Sequence, residues 1–496
     1  MRRCFLILCL GLIGFTGLAQ RIEVPEMEDV LSKIAESDSI QLMDLDIYMA
    51  LVVNNHPIVK QSNLLTEAAR QQLRLARGSF DPKLEASLDA KHFDGKNYYN
   101  FLNTTLKVPT WFPLDPKVSF DRNRGLFVNP ENSIPMGDNF RQVTAGLSLP
   151  VGRGLFIDQR RADVRQAIIF QDINEAERIK MINKTMLSAA KAYWDWYYTY
   201  YNYRLIEVSL DISEEIFRRV KLDYGFGEAA VVDTVQAAIT LQNRQVDLQD
   251  AKIEFLRSGL MLSNFLWNED EVPLEVTENM APPLNFSFFD TPEKSEVDTL
   301  LQRALTQHPE LQKINLKIAQ LGISEQLAKE NLKPRVDLNY NVINAPLRPL
   351  GEFEEFTLRD NYKFGIEFEF PLFLRKERAK LKQTQIKIDQ SNFELSQMEL
   401  EIINSIRGSF FTLSNTQGML STMELAVDNY TTLLAAELFN LEVGESDLFK
   451  INFQQDKLLE AQIKLMKMRA NVEKARLNLY WSAGVPYLNF PVPNLD

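Results

Sequence analysis

The sequence predicts a mainly α-helical fold with a β-barrel portion, built from two tandem copies of a long antiparallel helical hairpin. Two stretches, 151–272 and 372–485, contain no proline and few glycines in a chain of 496 residues. Proline and glycine interrupt helices, so both stretches are expected to form long helices. Short segments before each stretch alternate between apolar and polar residues, which is typical of strands. The same order of elements occurs twice, which indicates an internal duplication.

The second proline-free stretch predicts a helix of about 65 residues, a tight turn at 442–446 and a helix of roughly 35–40 residues. At ~1.5 Å per residue the first helix would be about 100 Å long, too long for an ordinary globular domain. The first stretch repeats the pattern, with its turn at 224–228. In the last helix, apolar residues recur every seven positions and predict coiled-coil packing: Ile451, Leu458, Leu465, Val472 and Leu479.

Four segments predict strands with one apolar and one polar face: 83–91, 142–149, 335–342 and 362–370. Strands of this length match the ~9–11 residues that cross a bilayer, with the polar face toward a wet lumen. A soluble sandwich with a buried apolar face is the alternative. An aromatic, turn-rich region contains a further strand pair near 98–108 and 117–122, and the sequence leaves open whether this pair joins the barrel or forms an outer loop.

The duplication is visible in fixed offsets between the two copies. His56-Pro57 returns as His308-Pro309 and Pro82 as Pro334, both 252 residues later; Pro150 returns as Pro371, 221 residues later, and Gly227 as Gly444, 217 residues later. The predicted organisation begins with a signal peptide at 1–19. A first repeat at 20–272 contains strands near 83–149 and a hairpin at 151–267, and a Pro-rich acidic linker follows at 273–295. A second repeat at 296–485 contains strands near 335–370 and a hairpin at 375–483, and the chain ends in a tail at 486–496.

The first 19 residues predict export. Arg2 and Arg3 precede an apolar run, and Gly17-Leu18-Ala19 forms a small-x-small cleavage site. Lipidation at Cys9 is disfavoured because the preceding Leu8 is bulky. Both cysteines lie within this segment, so the mature chain has none for a disulfide or a thiolate site.

Composition and motifs argue against several classes of function. The net charge of −12 disfavours nucleic acid as a partner. The sequence shows no catalytic constellation, phosphate-binding loop, cofactor motif or metal-ligand cluster, so no enzyme is expected. The two His-Pro pairs are interpreted as helix ends, and the aromatic run Tyr193–Tyr203 as a buried packing layer more than a ligand-stacking surface.

About four strands per chain cannot close a barrel, and an open sheet edge cannot lie in lipid. The barrel is therefore expected to be shared between chains. Three chains would give a twelve-stranded barrel with a lumen, above a ring of twelve long helices that forms a trimeric α-barrel.

Specific sequence motifs make the chain similar to a known family. The helix ends NHP and QHP, the strand exits LSLP and FEFP, and the turns YGFGEAA and VGESDLF occur together in the duplicated frame. In this combination the mature chain resembles the TolC family of outer-membrane efflux proteins, the exit ducts of tripartite exporters. The resemblance implies a homotrimer in outer-membrane lipid that extends into the periplasm as a passive duct, with a periplasmic adaptor protein and an inner-membrane pump as partners.

The resemblance also implies where functional residues lie. The hairpin tips of the family dock on the adaptor, which points to Gly227 and Glu228 in the first copy and to Gly444, Glu445 and Ser446 in the second. Well-studied members close the tunnel with aspartate rings six and nine residues after the second tip glycine. Lys450 and Phe453 occupy those positions here, so that gate is not reproduced.

Two aspartates are alternative gate residues. Asp233 is the first-copy equivalent of Lys450, and Asp447 lies near the second tip. A ring of either would favour cations, but Lys450 could pair with either, so charge selectivity stays open, as do the pump class and the cargo. The competing functional hypothesis is a periplasmic coiled-coil scaffold without a pore.

Overall fold

The computed structural model describes residues 41–125, 127–128, 140–227, 229–284, 292–343, 361–443 and 445–485. The predicted signal peptide and the C-terminal tail lie outside these ranges. The helices are α1 Leu45–Asn55, α2 Pro57–Arg77, α3 Gln159–Phe226, α4 Val231–Ser263, α5 Lys294–Gln307, α6 Pro309–Glu330, α7 Arg375–Glu442 and α8 Leu448–Ser482. The strands are β1 Gln41–Leu42, β2 Lys83–Phe93, β3 Lys96–Lys107, β4 Asp115–Arg124, β5 Phe140–Pro150, β6 Met280–Ala281, β7 Arg335–Ile343 and β8 Tyr362–Glu369.

The two His-Pro pairs are helix boundaries, as the sequence predicts. His56 ends α1 and caps α2, and its Nδ1 accepts a hydrogen bond from the Ile58 amide at 3.2 Å. Pro57 stands at the first helical position, where its missing N–H costs nothing. The second copy repeats the arrangement at His308, between α5 and α6.

The long helices confirm the predicted hairpins. Helices α3 and α7 each contain 68 residues, and their return helices α4 and α8 contain 33 and 35. The predicted heptad of α8 is buried throughout, from Ile451 to Leu479. It packs against a second buried heptad on α7, formed by Ile406, Leu413, Leu420, Val427 and Leu434. Within the described residues, no helix has the length and apolar character needed to span a membrane.

The four long helices lie side by side in the order α4, α3, α8, α7. Helix α3 packs against both α4 and α8, and α8 packs against α7. The short helices α2 and α6 pack on the β-proximal parts of α3, and α6 also packs on α7. Helices α4 and α7 are therefore the two edges of the layer near the tips, and α2 and α7 are its edges near the sheet.

The main sheet has six described strands in the order β2-β3-β4-β5-β7-β8, and every neighbouring pair is antiparallel. The four predicted strands are β2, β5, β7 and β8. The additional pair that the sequence left open forms β3 and β4 and joins them. Asp94 and Gly95 have positive φ angles of 50° and 70° and form the tight turn from β2 to β3.

The aromatic run on α3 is buried, as predicted. Tyr193, Trp196, Tyr197 and Tyr201 are 0–1% exposed. The Tyr193 hydroxyl donates to the Met43 carbonyl at 2.9 Å, and the Tyr201 hydroxyl donates to the Pro282 carbonyl at 3.0 Å. These carbonyls flank the small parallel pair of β1 and β6. The aromatic layer thus attaches the start of the first copy and the linker to the middle of the helical layer.

Candidate functional site

The first candidate site is the turn between α3 and α4. Gly227 ends α3 with φ at 81° in the left-handed region, and its amide donates to the carbonyls of Asp223 and Tyr224. No atom lies within 4 Å of the place where a side chain on Gly227 would begin. Backbone conformation therefore requires glycine here more than steric space does. Glu228, the adjacent predicted tip residue, lies outside the described residues.

The second candidate site is the turn between α7 and α8. Gly444 lies outside the described residues. The Glu445 amide donates to the Asn440 carbonyl at 2.8 Å, and the Ser446 hydroxyl donates to Glu437 Oε2 at 2.6 Å. These two bonds tie the turn back to the last residues of α7, while the Glu445 side chain is exposed.

Three of the four candidate gate residues lie at the start of α8. Asp447 caps this helix by accepting from the Lys450 amide at 2.9 Å, and the Lys450 ammonium lies 3.6 Å from the same carboxylate. The Lys450 amide, together with the Lys450 charge, holds the pKa of Asp447 below its usual range. Phe453 is half exposed, and the Lys457 ammonium lies 5.7 Å from its ring centroid.

Asp233 occupies the equivalent place at the start of α4. Its carboxylate accepts a hydrogen bond from the Ala230 amide at 3.0 Å and closes the first turn of that helix. Among the described residues it forms no ion pair with Lys450 or another cation. The structure thus joins Asp447 to Lys450 within one chain but does not join Asp233 to either.

An ion-pair network connects helices α4 and α8 of the two hairpins, further from the tips than the candidate gate residues. The Arg244 guanidinium on α4 contacts Asp247 on the same helix at 2.8 Å and Asp456 on α8. Arg244 is mostly buried, and desolvation raises the pKa of Asp456 against the opposing effect of Arg244. The sequence does not indicate this contact, because it joins residues of different copies and no local pattern marks it.

Exposed apolar seams follow the two edges of the helical layer. On α4, apolar side chains that are 49–73% exposed recur every seven residues at Val232, Ile239, Val246, Ile253 and Leu260. On α7, Ile386, Phe393 and Leu400 repeat the spacing, and Phe411, Leu425 and Phe439 continue at twice that spacing. The heptad on α4 is visible in the sequence, and counting every periodic apolar position there would have found it.

The sheet also has an exposed apolar face. The strand registers place on one face Leu84, Leu88, Leu102, Leu106, Val118, Phe120, Val143, Leu147, Leu338, Tyr340, Phe364, Ile366 and Phe368. The opposite face is polar, with cross-strand contacts from Lys107 to Glu85 at 2.7 Å and from Thr105 to Ser119 at 2.9 Å. Edge strands β2 and β8 each pair on one side only within the described chain.

Comparisons with known proteins match this architecture. The sequence profile of the outer membrane efflux protein family matches residues 300–485. Outer membrane protein TolC of Escherichia coli (strain K12) is 23% identical over 265 residues, covering 48% of this chain and 51% of that protein. The chain thus spans about half the length of the curated relative that it matches.

In sequence the chain is thus similar to outer membrane efflux proteins. Solved structures extend the likeness in fold to most of the chain. The CmeC outer membrane channel of Campylobacter jejuni has a TM-score of 0.61 at 14% identity and covers 89% of this chain and 86% of that chain. The outer membrane protein VceC of Vibrio cholerae has a TM-score of 0.60 at 14% identity, with 89% and 96% covered.

The related proteins are named as channels and outer membrane proteins and not as enzymes. In the part of the chain that the structure describes, no group of three or more His, Cys, Asp or Glu side chains is placed to hold a metal ion. The features that distinguish the chain are therefore its tips, its unpaired edges and the two faces of its sheet.

Proposed function

We propose that the chain is the outer-membrane channel component of a tripartite efflux or secretion system. Three copies form a passive duct that carries substrates from an inner-membrane pump and a periplasmic adaptor across the periplasm and the outer membrane. The match to the outer membrane efflux protein family over residues 300–485 and the channel names of the related structures support this proposal. The organisation into repeats at 20–272 and 296–485, joined by a linker at 273–295, belongs to the same proposal.

The observation that carries the proposal is that both the sheet and the helical layer of one chain end in unpaired edges. The sheet ends at β2 and β8, and the helical layer ends at α4 and α7. An open sheet edge in lipid leaves backbone groups without partners, which costs several kcal/mol for each group. A closed ring of copies satisfies the sheet edges and the helix edges together.

The helical edges are apolar where such a ring would need them to be. The five exposed apolar residues that recur every seven positions on α4 face away from α3. Helix α7 carries its own exposed apolar residues away from α8. Burying a side chain such as Ile253 or Leu425 stabilises an interface by about 1.5–3 kcal/mol. Pairing of α4 in one copy with α7 in the next would place the α4 seam against Phe411, Leu425 and Phe439 of α7, as a coiled coil does.

The two tips are proposed to dock on the adaptor. Gly227 and Glu228 would form the first half of this surface, and Gly444, Glu445 and Ser446 the second half. In support, the Gly227 turn leaves open space around the backbone, and the Glu445 side chain is exposed. Short hydrogen bonds at Ser446 and Glu445 hold the second turn in a fixed shape.

The constriction of the duct is proposed to lie one helical turn from the tips. Asp233, Asp447, Lys450 and Phe453 are the candidate gate residues. Lys450 compensates part of the Asp447 charge in the same chain, whereas Asp233 has no such partner among the described residues. In a threefold assembly Asp233 would therefore be the stronger source of cation preference.

The proposal is tested by placing charge in the α4 seam. Val246→Asp together with Ile253→Asp should abolish heat-modifiable trimers in outer-membrane fractions and ion conductance in planar bilayers. Gln245→Asp, on an exposed position of the same helix, is the matched control and should keep both. A wild-type chain that is soluble without detergent and shows no conductance would instead support the periplasmic scaffold.

A further inference from the structure

We propose that the shared barrel has eighteen strands, six from each of three chains, and that β8 of one copy pairs antiparallel with β2 of the next. This inference rests on the proposed trimeric channel. The twelve strands expected from sequence counted only β2, β5, β7 and β8. The difference is the hairpin of β3 and β4, which stands between β2 and β5 in the sheet.

The β3–β4 hairpin is a full part of the sheet. Strand β3 pairs with β2 from Lys107 back to Lys96, and β4 pairs with β5 from Asp115 to Asn123. With both of its strands hydrogen-bonded to the flanking strands, the hairpin leaves no place where β2 could contact β5.

Both faces of the sheet continue across the inserted hairpin. Leu102 and Leu106 lie opposite Leu88 and Leu84, and Val118 lies opposite Leu106 on the same apolar face. On the polar face, the Thr105 hydroxyl contacts the hydroxyl of Ser119 and the amide oxygen of Asn103. An outer loop would have no need for an apolar face in register with the membrane strands, whereas two additional membrane strands require one.

The base of the hairpin is attached to the helical layer. The Arg160 guanidinium, at the start of α3, lies 3.0 Å from Asp115 at the start of β4. The same guanidinium lies 5.3 Å from the ring centroid of Phe80, and Phe80 contacts Trp111 in the β3–β4 turn with ring centroids 5.6 Å apart. These contacts place the β3–β4 turn at the level where the other strands meet their helices.

The number of strands allows the ring to close. Because the six strands alternate in direction, the edge strands β2 and β8 run in opposite directions. β8 of one copy and β2 of the next would then continue the antiparallel pattern around the whole barrel. Barrel diameter grows roughly linearly with strand number, so eighteen strands give a lumen about half again as wide as twelve, in the size range of water-filled porin channels.

The duplication supplies the register of the contact between copies. Within one chain β5 pairs with β7, and Ala145 lies opposite Val342. By the offsets of the repeat, β8 is the second-copy equivalent of β5, and β2 is the first-copy equivalent of β7. The internal junction of β5 with β7 is thus a template for the junction of β8 with β2 of the next copy, and it places Leu88 opposite Phe368.

The same offsets define the four-stranded alternative. If β3 and β4 lay outside the barrel, β2 would pair with β5 as β7 pairs with β8. Tyr340 lies opposite Phe364 in that second-copy pair. The alternative therefore places Leu88 opposite Val143, whereas in the six-stranded sheet Phe120 lies opposite Val143.

Three double-cysteine variants separate these arrangements. Directly opposite residues of antiparallel strands are close enough for a disulfide, and both native cysteines lie within the predicted signal peptide. The variants are Phe120→Cys with Val143→Cys, Leu88→Cys with Val143→Cys, and Leu88→Cys with Phe368→Cys. Each is oxidised in outer-membrane fractions and examined by non-reducing gel electrophoresis and free-thiol labelling, with Leu88→Cys alone as the control.

We expect the first pair to lose its free thiols within one chain, the second to keep them, and the third to shift the monomer band to covalent dimer and trimer. Oxidation of the second pair, or failure of the third in chains that still form trimers, would overturn the eighteen-stranded barrel while leaving the channel proposal intact. A wild-type chain that remains a monomer in detergent would overturn both. Electron cryomicroscopy of the wild-type trimer gives an independent count, eighteen strands supporting the inference and twelve refuting it.

Discussion

The Nδ1 atom of His308 accepts a hydrogen bond from the backbone amide of Glu310 at 3.2 Å, and His56 makes the same bond to Ile58 at the same distance. Only a neutral imidazole nitrogen can accept, so both caps require the unprotonated ring. Burial lowers the pKa of both histidines, and the nearby Glu310 charge opposes this effect at His308. The two copies therefore share an acid-sensitive N-terminal helix cap, at the start of α2 and of α6.

Acidification should destabilise the protein through these caps. Because the folded pKa of each histidine lies below its ordinary value, the unfolded chain binds more protons as the pH falls below about 6.5. The contribution is complete above that value and is lost as the pH falls through the folded pKa. Thermal unfolding in detergent at pH 8 and pH 5 should show a drop that His308→Asn reduces, since asparagine caps a helix without titrating.

The third histidine provides the control for this pH effect. His92 is exposed on β2 and caps no helix, so His92→Asn should leave the pH dependence of unfolding unchanged. An equal reduction in both variants would show that the caps are not the source of the acid sensitivity.

The left-handed conformation of Gly227 gives a second prediction. Gly227→Ala should destabilise the first tip by about 1–2 kcal/mol, because a side chain disfavours this region of backbone space. Gly227→Asn should cost less, since asparagine tolerates the same conformation. Faster amide hydrogen exchange in residues next to the turn would report the change.

Gly225 is the matched control for this turn. It lies two residues earlier within α3, and its backbone does not have positive φ. Gly225→Ala should therefore leave exchange at the tip unchanged or slow it slightly, because alanine favours helix. Equal acceleration in both variants would contradict a conformational role for Gly227.

The sequence predicted the helices because their signals are local and repeated. The absence of proline marks α7 and α8, and the spacing from Ile451 to Leu479 marks the packed face. Sheet membership of β3 was left open because adjacent aromatic residues Tyr98 and Tyr99 break the alternation, and the pairing is settled by partners elsewhere in the chain.

The candidate site was predicted less completely than the fold. Glycine punctuation located both tips, and the structure shows the backbone reason at Gly227. The capping role of Asp447 and the contact of Arg244 with Asp456 were not predicted, the first because a capping residue and a pore residue give the same sequence signal. Besides the exposed heptad from Val232 to Leu260, helix α4 carries a second apolar heptad at Leu241, Leu248, Phe255 and Leu262. The sequence alone does not indicate which of the two faces another copy.

Close approach of the segment that follows β5 to the residue that precedes β7 gives a third prediction. A side chain on Gly152 would overlap the Pro334 carbonyl oxygen, beside the hydrogen bonds from Val151 to Val336 and from Arg153 to Pro334. Both sides of this clash belong to paired backbone, so neither can move easily. Gly152→Ala should cost about 1–3 kcal/mol or more and lower the yield of folded protein in outer-membrane fractions.

A glycine within the sheet is the control for Gly152. Gly365 on β8 has no atom within 4 Å of the position that an added methyl group would take, so Gly365→Ala should assemble normally. Loss of assembly in both variants would mean that flexibility, and not close approach, accounts for the effect at Gly152.

The double role of Asp447 gives the last prediction. Its carboxylate caps α8 and also carries a charge near the proposed constriction. Asp447→Asn keeps an oxygen that can accept from the Lys450 amide but removes the charge, whereas Asp447→Ala removes both. If the residue contributes to ion selectivity, Asp447→Asn should shift the reversal potential of trimers in a salt gradient toward anions, with an unchanged melting temperature. Asp447→Ala should shift the potential equally and also lower the melting temperature, because the cap is lost.

Asp233→Asn applies the same test to the first copy, where no lysine compensates the charge among the described residues, and should shift the potential further. Selectivity that stays constant in all three variants would remove both aspartates from the constriction and leave Asp447 with its capping role alone.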